Sequence, residues 1–390
     1  MESPAIVIAS FRKLLLYMEE EQFKGYDPYD GLESPIWKLP LLNSAGKVQF
    51  YFQQLIKRSP VNIRPLLFIR KGLNPVTLGL ALQAYTEAYK LSNDTTLLSK
   101  IKNLLNQLDQ LSTKGFSGHC WGYDFRWASR YALIPAGQPT VVATGIITNA
   151  LFQYWQLTAD AEAAAMINSS AQFVEKDLHR NFDSKGNFCF SYSPFDKEQV
   201  YNASLKGARI LAQSYLISGN LQYKELSAQA TNWVASKQET RGAWKYSESK
   251  SGYRSDNYHT GYILDCLADC IEINQMPELS SILSKGQNYY LSNFFERDGQ
   301  PKFYDDKKWP ADCTAGGQAI LSLLKMNAKS EALNTAIWLI NHMQSEKGYF
   351  YFRKYKNHVE KTSFMRWSNA WMLAALSTLI TSTDIRATHA

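Results

Sequence analysis

Gly242-Ala243-Trp244-Lys245-Tyr246, leading to Asp256-Asn257-Tyr258-His259-Thr260, is one copy of a phrase that this chain uses five times. The phrase is a glycine, an aromatic pair, a polar loop, and an apolar helix that opens on polar residues. Gly186-Asn187-Phe188-Cys189-Phe190 leads to Tyr201-Asn202-Ala203-Ser204, and Gly299-Gln300-Pro301-Lys302-Phe303 leads to Ala311-Asp312-Cys313-Thr314. Gly348-Tyr349-Phe350-Tyr351-Phe352 leads to Arg366-Trp367-Ser368-Asn369, and a looser copy, Cys120-Trp121-Gly122-Tyr123-Asp124, precedes Pro139-Thr140-Val141-Val142. The last aromatic of each copy stands at 123, 190, 246, 303 and 352, a period of 49 to 67 residues. Repetition at that spacing marks a unit that cannot bury its apolar face alone and stacks on its neighbours.

The helices that open on the phrase are expected near 74–91, 139–157, 200–218, 256–273, 311–326 and 364–381. They are apolar around most of their circumference and carry small residues (Ala143, Gly145, Ala203, Gly207, Gly261, Gly316, Gly317), as helices buried on both sides do. More amphipathic helices alternate with them near 95–112, 160–178, 221–237, 278–293 and 329–344. Leu97, Leu98, Ile101, Leu104, Leu105 and Leu108 show the i, i+3, i+4, i+7 stripe. Six inner helices face only five outer ones, and the N-terminal helix within about 3–21, with Ile6, Phe11, Leu14 and Met18 on one face, supplies the sixth. An open solenoid needs polar end repeats, whereas Phe364 to Ile380 is strongly apolar and needs a neighbour. The fold class expected is therefore all-α, an (α/α)6 toroid of six hairpins closed by the N-terminal helix against the last inner helix. One domain spans 1–390: a closing helix and acidic loop in 1–35, hairpin repeats over 60–381, and a disordered tail in 382–390. Asn62 to Asn74 lacks the phrase, so the first hairpin departs from the pattern.

Composition narrows the partners. The 390 residues carry a net charge of +7, a modest bias toward anions. The basic residues are scattered rather than gathered into a stripe, which argues against nucleic acid. Aromatic residues, 13% of the chain, crowd the repeated loops, a pattern suited to stacking on sugar rings. The five cysteines form no CxxC pair and read as buried reduced thiols. His119, His179, His342 and His358 show no metal-ligand spacing, and no nucleotide-binding, HExxH or GxSxG motif occurs, so neither metal nor cofactor is expected. Met1 to Glu20 lacks the order of a signal peptide and no apolar run is long enough to span a bilayer, which points to a cytoplasmic location with no integral membrane segment.

In a closed ring all six inner helix N-termini meet at one funnel, bringing unsatisfied N–H groups and positive dipole ends. Candidate residues are therefore sought at the helix starts. Asp256 is a natural N-cap, while Tyr258 and His259 in the next turn serve no capping purpose and are candidate acid/base groups. Asp124 lies with Trp121, Tyr123, Arg126 and Arg130 in one loop, where the carboxylate could act as acid/base and the guanidinium groups could clamp an anion bidentately, or the charges could simply brace the loop. Asn202, Asp312, Arg366 and Asn369 hold equivalent places in other repeats, as caps or as ligand-binding groups. Trp244 and Trp367 could stack on sugars or pack beneath loops. Gly25-Tyr26-Asp27-Pro28-Tyr29-Asp30-Gly31-Leu32 is a turn-rich acidic loop whose Asp27 and Asp30 could lie across the funnel mouth.

Asp256 to Leu264 is similar to the zinc-histidine segment of protein prenyltransferase β subunits, and Asp312-Cys313 to their aspartate and cysteine ligands, in inverted order along the chain. Over most of its length the sequence more closely resembles an uncharacterised bacterial and archaeal family found with surface-polysaccharide biosynthesis genes. Gly25 to Leu32, Pro60-Val61-Asn62-Ile63-Arg64-Pro65, Trp121 to Asp124 and Ser255 to Gly261 carry that resemblance. It implies a six-hairpin toroid, the fold also of uronyl C5-epimerases and polysaccharide lyases, and a role in capsule or lipopolysaccharide assembly, with no catalytic residue assigned.

The first reading is an enzyme acting on an acidic oligosaccharide or lipid-linked glycan by proton abstraction. His259 or Tyr258 would serve as acid or base, and Arg126, Arg130 or Arg366 would stabilise the developing charge. A glycosidase would instead use two carboxylates drawn from Asp124, Asp256 and Asp312. A non-catalytic glycan-binding protein and a prenyltransferase-like zinc enzyme are the remaining alternatives.

Overall fold

The computed structural model describes residues 3–39, 46–128, 133–249 and 252–383. Among them are thirteen α-helices: α1 (Ser3–Glu20), α2 (Gly46–Lys57), α3 (Pro75–Ser92), α4 (Thr96–Gln110), α5 (Val141–Thr158), α6 (Ala161–Asp177), α7 (Tyr201–Ser218), α8 (Leu221–Ala235), α9 (Asn257–Asn274), α10 (Ser280–Asn293), α11 (Cys313–Lys325), α12 (Lys329–Met343) and α13 (Ala370–Ser382). The inner helices α3, α5, α7, α9, α11 and α13 each pack on the next, and α13 packs on α3, so the ring is closed. Helix α1 lies against α12 and α13 as the sixth outer helix. The toroid is as the repeats require, and the helix bounds agree with the expected ones to within a few residues except at the start of α13. The tail from 384 onward lies outside the described residues.

Side-chain caps mark the start of four of the six inner helices. Asn74, Thr140, Asp256 and Asp312 cap α3, α5, α9 and α11 by accepting hydrogen bonds from backbone N–H groups of the first turn. At the other end Asn93, Ala159 and Gly219 are left-handed and turn the chain within a few residues into the following outer helix. Long loops therefore gather at the N-terminal mouth and short turns at the C-terminal mouth. Small β-ribbons stiffen the long loops: β1 (Trp127–Ala128) pairs with β2 (Leu133–Ile134), β3 (Arg180–Phe182) with β4 (Phe188–Phe190), and β6 (Tyr351–Lys354) with both β5 (Ala311–Asp312) and β7 (Val359–Ser363).

Because the inner helices run parallel, equivalent positions form layers across the channel. The sixth residues of α3, α5, α7, α9 and α11 are Leu80, Ile146, Lys206, Tyr262 and Gln318, and all five line the interior. The ninth residues (Gln83, Asn149, Arg209, Asp265, Leu321) form the next layer, at the i, i+3 spacing of one helix face.

Two features depart from expectation. The last inner helix does not begin as a regular α-helix: Met365–Asn369 forms a π turn before α13. There the Asn369 carboxamide accepts from the Phe350 N–H at 2.8 Å and donates to Ser363 Oγ at 2.9 Å, anchoring the wide turn to neighbouring loops. Helix α2 has no counterpart in the repeats. Its buried face is Gln49, Gln53 and Ile56 while Val48, Tyr51 and Leu55 are exposed, an inverted pattern that apolar periodicity does not reveal. Gln53 holds β1 through both backbone groups of Ala128, at 3.0 and 2.9 Å.

Helix approach depends on missing side chains. A Cβ at Gly317 would lie 3.0 Å from the Trp371 carbonyl carbon, in backbone that cannot turn aside. Gly317→Val is expected to lower stability by about 1–3 kcal/mol through overpacking of the α11–α13 contact, read as a shift of the urea unfolding midpoint at unchanged slope.

Candidate functional site

The second residues of α5, α7 and α9, which are Val142, Asn202 and Tyr258, stand around the N-terminal mouth, and the π turn adds Arg366 and Trp367. Together with loop residues they enclose a cavity of about 180 Å³. Six tyrosines (Tyr29, Tyr123, Tyr192, Tyr246, Tyr258, Tyr262) and three tryptophans (Trp127, Trp367, Trp371) form most of its wall. The charged or titratable groups besides the phenols are His259 and Arg366, and among the described residues no carboxylate lines it. Its floor is Ile146, Tyr262 and Trp371, with the last two rings 5.5 Å apart.

His259 is held by its own helix cap. Asp256 Oδ1 accepts from the His259 backbone N–H at 3.0 Å, and Oδ2 lies 2.6 Å from Nδ1. A carboxylate can only accept, so Nδ1 carries a proton, and in the neutral ring the lone pair is on Nε2. No described residue bonds Nε2. The ring makes tilted contacts with Tyr246, with centroids 4.5 Å apart, and Tyr258, at 4.0 Å. The result is a histidine of fixed tautomer and fixed plane, the arrangement that makes an imidazole a competent base. Burial pushes the hydroxyls of Tyr192, Tyr246, Tyr258 and Tyr262 upward, so at neutral pH these phenols are hydrogen-bond donors rather than bases. For Tyr258 this favours the donor or acid role over the base. Two further polar groups of the wall lack partners: Asn202 Oδ1 and Trp367 Nε1 are buried with no hydrogen bond.

Arg366 joins this cavity to a second one, of about 380 Å³, lined by Asp27, Asp30, Asn74 and Asp124. Its guanidinium donates to Asp27 through Nε at 2.6 Å and Nη2 at 2.9 Å, and its carbon lies 4.4 Å from the Tyr123 ring centre. Nη1 has no partner among the described residues. Asp30 pairs with Arg64 at 2.6 Å and accepts the Asp27 N–H at 2.9 Å, while Arg64 Nη2 reaches the Asp27 carbonyl at 2.8 Å. Burial pushes the Asp30 carboxyl up, with the Arg64 guanidinium opposing. The acidic loop does lie at the funnel mouth, but both aspartates are committed to arginines. Tyr29, between them, is the residue that reaches the central cavity. Asp124 Oδ1 accepts from Asn74 at 2.6 Å, and burial raises its carboxyl to about 6.

The remaining candidates sit elsewhere. Trp121 and Trp244 are fully buried beneath the loops, with indole N–H groups donating to the Leu108 and Val234 carbonyls, and do not line the cavity. Asp312 is a fully buried cap paired with Arg353 at 2.6 Å, and Asn369 braces the π turn. Cys313 is buried beside Asp312, and among the described residues no cluster of three histidine, cysteine or carboxylate groups could hold a metal. Arg126 Nη2 donates to the Leu32 carbonyl at 3.0 Å, and Arg130 lies outside the described residues. The structure thus brings together His259, Tyr258, Asp256, Tyr123, Asn202, Arg366 and Trp367, with Asp27, Asp30 and Asp124 beside them. It adds Tyr29, Trp127, Tyr192, Tyr246, Tyr262 and Trp371. The available signal for Tyr262 and Trp371 was register: each stands one helical turn below a residue of the mouth.

No protein-family model matches the chain, and no curated protein matches it in sequence. Solved structures do match in fold. The cellobiose 2-epimerase from Bacillus thermoamylovorans aligns with a TM-score of 0.59 over 78% of this chain and 87% of that one, at 11% identity. A GH76 α-mannanase from Bacteroides thetaiotaomicron gives 0.58 over 81% and 87%, at 12%. An unsaturated glucuronyl hydrolase specific for heparin gives 0.59 over 82% and 89%, at 13%. These similarities establish the six-hairpin toroid.

The Asp124 carboxyl carries a test. Its folded value, about 6, stands above the ordinary value of about 4. Folding therefore favours the protonated form, and its contribution is present below about pH 4 and lost as pH rises through about 6. Asp124→Asn keeps an acceptor for Asn74 and is expected to stabilise the protein at pH 7 relative to wild type but not at pH 4. Urea unfolding midpoints at the two values check this.

Proposed function

We propose that the funnel binds a sugar residue of a glycan and that His259, oriented by Asp256, transfers a proton to or from carbon, as an epimerase, isomerase or lyase does. The observation that carries this reading is the inventory of the cavity: one imidazole with a free Nε2, one guanidinium, a wall of phenols and indoles, and no carboxylate among the described residues. Aromatic faces suit sugar rings, and the unpartnered Asn202 and Trp367 groups suit their hydroxyls.

In the proposed step, Nε2 removes the proton from the carbon next to a carbonyl or carboxylate group. The electron pair passes to that group's oxygen. Arg366 Nη1 and the neutral hydroxyl of Tyr258 can donate to the oxyanion that forms. Because Asp27 already neutralises Arg366, the guanidinium suits a transient oxyanion better than a permanent clamp on a carboxylate. Return of a proton to the opposite face gives the epimer, and loss of the group β to the carbanion gives the lyase product. The glycosidase reading is less well supported, since Asp256 is engaged by His259, Asp312 by Arg353, and Asp124 lies in the neighbouring cavity. On the resemblance of the acidic loop and the Asp256 segment, the glycan is placed in surface-polysaccharide assembly, with an acidic or lipid-linked chain as the first substrate to test.

The test is mass spectrometry of uronate-containing oligosaccharides and reducing disaccharides incubated with the protein in heavy water. A gain of one mass unit in substrate or epimer, or cleavage into a saturated fragment and an unsaturated one lighter than its hydrolysis product by the elements of water, is expected with wild type. His259→Asn should slow that change by roughly 10²–10⁴-fold, and Asp256→Asn should slow it with little change in KM. Hydrolysis without deuterium at carbon, or binding with neither change, would overturn the proposal.

A further inference from the structure

Below the floor made by Ile146, Tyr262 and Trp371 the channel widens into another cavity, of about 440 Å³, that runs to the C-terminal turns of the inner helices. None of the groups assigned above to acid/base work lies in it. At its head is Lys206, 2% exposed, with Nζ 3.8 Å from the centre of the Tyr262 ring. Among the described residues Lys206 has neither a hydrogen bond nor an ion pair. Burial pushes its ammonium down to about 8, against the attraction of Asp265 and Asp269 on the neighbouring helix α9 and with Arg209 adding repulsion from its own helix.

Asp269, Arg209 and Lys325 form one ion-paired group. Asp269 pairs with Arg209 at 3.4 Å and with Lys325, and Arg209 also donates to the Gly145 carbonyl at 3.0 Å. Asp265 accepts from Gln318 at 2.6 Å, and burial holds its carboxyl toward the protonated form. Glu272 stands exposed at the rim. Among the described residues Lys206 is thus the cation of the cavity with no carboxylate at ion-pair distance. Beside it are carboxamides with unused capacity: the Oε1 atoms of Gln153 and Gln213 are buried without a donor, while Gln213 Nε2 donates to Asn149 at 3.1 Å. A buried polar group left unpaired is destabilising, so a ligand that meets these groups gains what folding has left unmet.

We propose that this cavity is a second binding site, for a single sugar carrying one anionic group, carboxylate or phosphate, with Lys206 pairing to the anion and Gln153 and Gln213 accepting from hydroxyls. The ring of the sugar would lie against Trp371 and Phe152, which line the same space. The volume falls within the range of small-molecule pockets. The assignment stands whether or not the funnel is catalytic.

Isothermal titration with D-glucuronate, glucose 6-phosphate and, as the uncharged control, D-glucose tests it. At least one of the charged sugars should bind saturably at millimolar concentration or below, with glucose weaker by roughly tenfold or more. The tighter of the two identifies the anion. Lys206→Gln should lose a similar factor, while His259→Asn and Trp367→Ala, altering only the funnel, should leave the affinity unchanged. If Lys206→Gln does not fold, Gln213→Leu provides the same contrast. Failure of both charged sugars to saturate, or binding that is lost with the funnel variants and kept by Lys206→Gln and Gln213→Leu, would overturn the assignment.

Discussion

Six parallel helices that are apolar on both sides can be satisfied only if each has two inner neighbours, and a ring is the arrangement that leaves none at an edge. Closure of α13 on α3 is the contact on which everything else in this molecule rests. It aligns six helix N-termini at one mouth, and it locks their registers together so that equivalent residues share a level. The interior is consequently stratified. A mouth layer of Val142, Asn202, Tyr258 and Trp367 stands above a floor of Ile146, Tyr262 and Trp371, with charged and carboxamide layers beneath. Which chemistry occurs at which depth follows from counting along a helix.

Electrostatics at the mouth depend on a second long-range tie. Asp27 and Arg366, 339 positions apart, form a buried bidentate pair that seats the acidic loop on the π turn. A buried pair of this kind contributes little net stability, but removal of one partner strands a charge, typically at 3–5 kcal/mol. Its effect here is positional: it sets Arg366 against Tyr123 and brings Tyr29 to the cavity wall. The same dry surroundings that make the pair expensive to break keep the phenols neutral, so the wall donates hydrogen bonds without adding charge.

The architecture was legible because it rests on local signals repeated from hairpin to hairpin. Caps such as Asn74, Thr140 and Asp256, the small residues on inner helices, and the amphipathic stripe of α4 each speak for themselves in the sequence. The site was legible at Asp256, Tyr258 and His259, where a cap is followed by residues that capping does not require. It was not legible at Trp121 and Trp244, since an aromatic in a loop can as easily be a plug as a platform, and only the Leu108 and Val234 carbonyls decide. Asp312 looked like its counterpart Asp256 but meets Arg353 instead of a histidine, a partner 41 residues away. Helix α2 escaped because it buries glutamines. Lys206 escaped because a lysine on an apolar helix reads as an exception, until alignment of the inner helices shows that it shares a layer with Tyr262 and Gln318.

The order in which a ribosome makes this chain gives ring closure a temporal meaning. Asp27 and Tyr29 emerge well before Arg366, Trp367 and the whole of α13. Until then α3 and α11 each present an apolar flank with no neighbour, and the acidic loop has no arginine to sit on. Without α13 the chain is an open arc of hairpins, with no mouth and no floor. The mouth and the floor therefore cannot be assembled gradually during synthesis. They arrive with α13, and a truncation that removes it opens the ring between α11 and α3 and leaves the layers of the interior open to water.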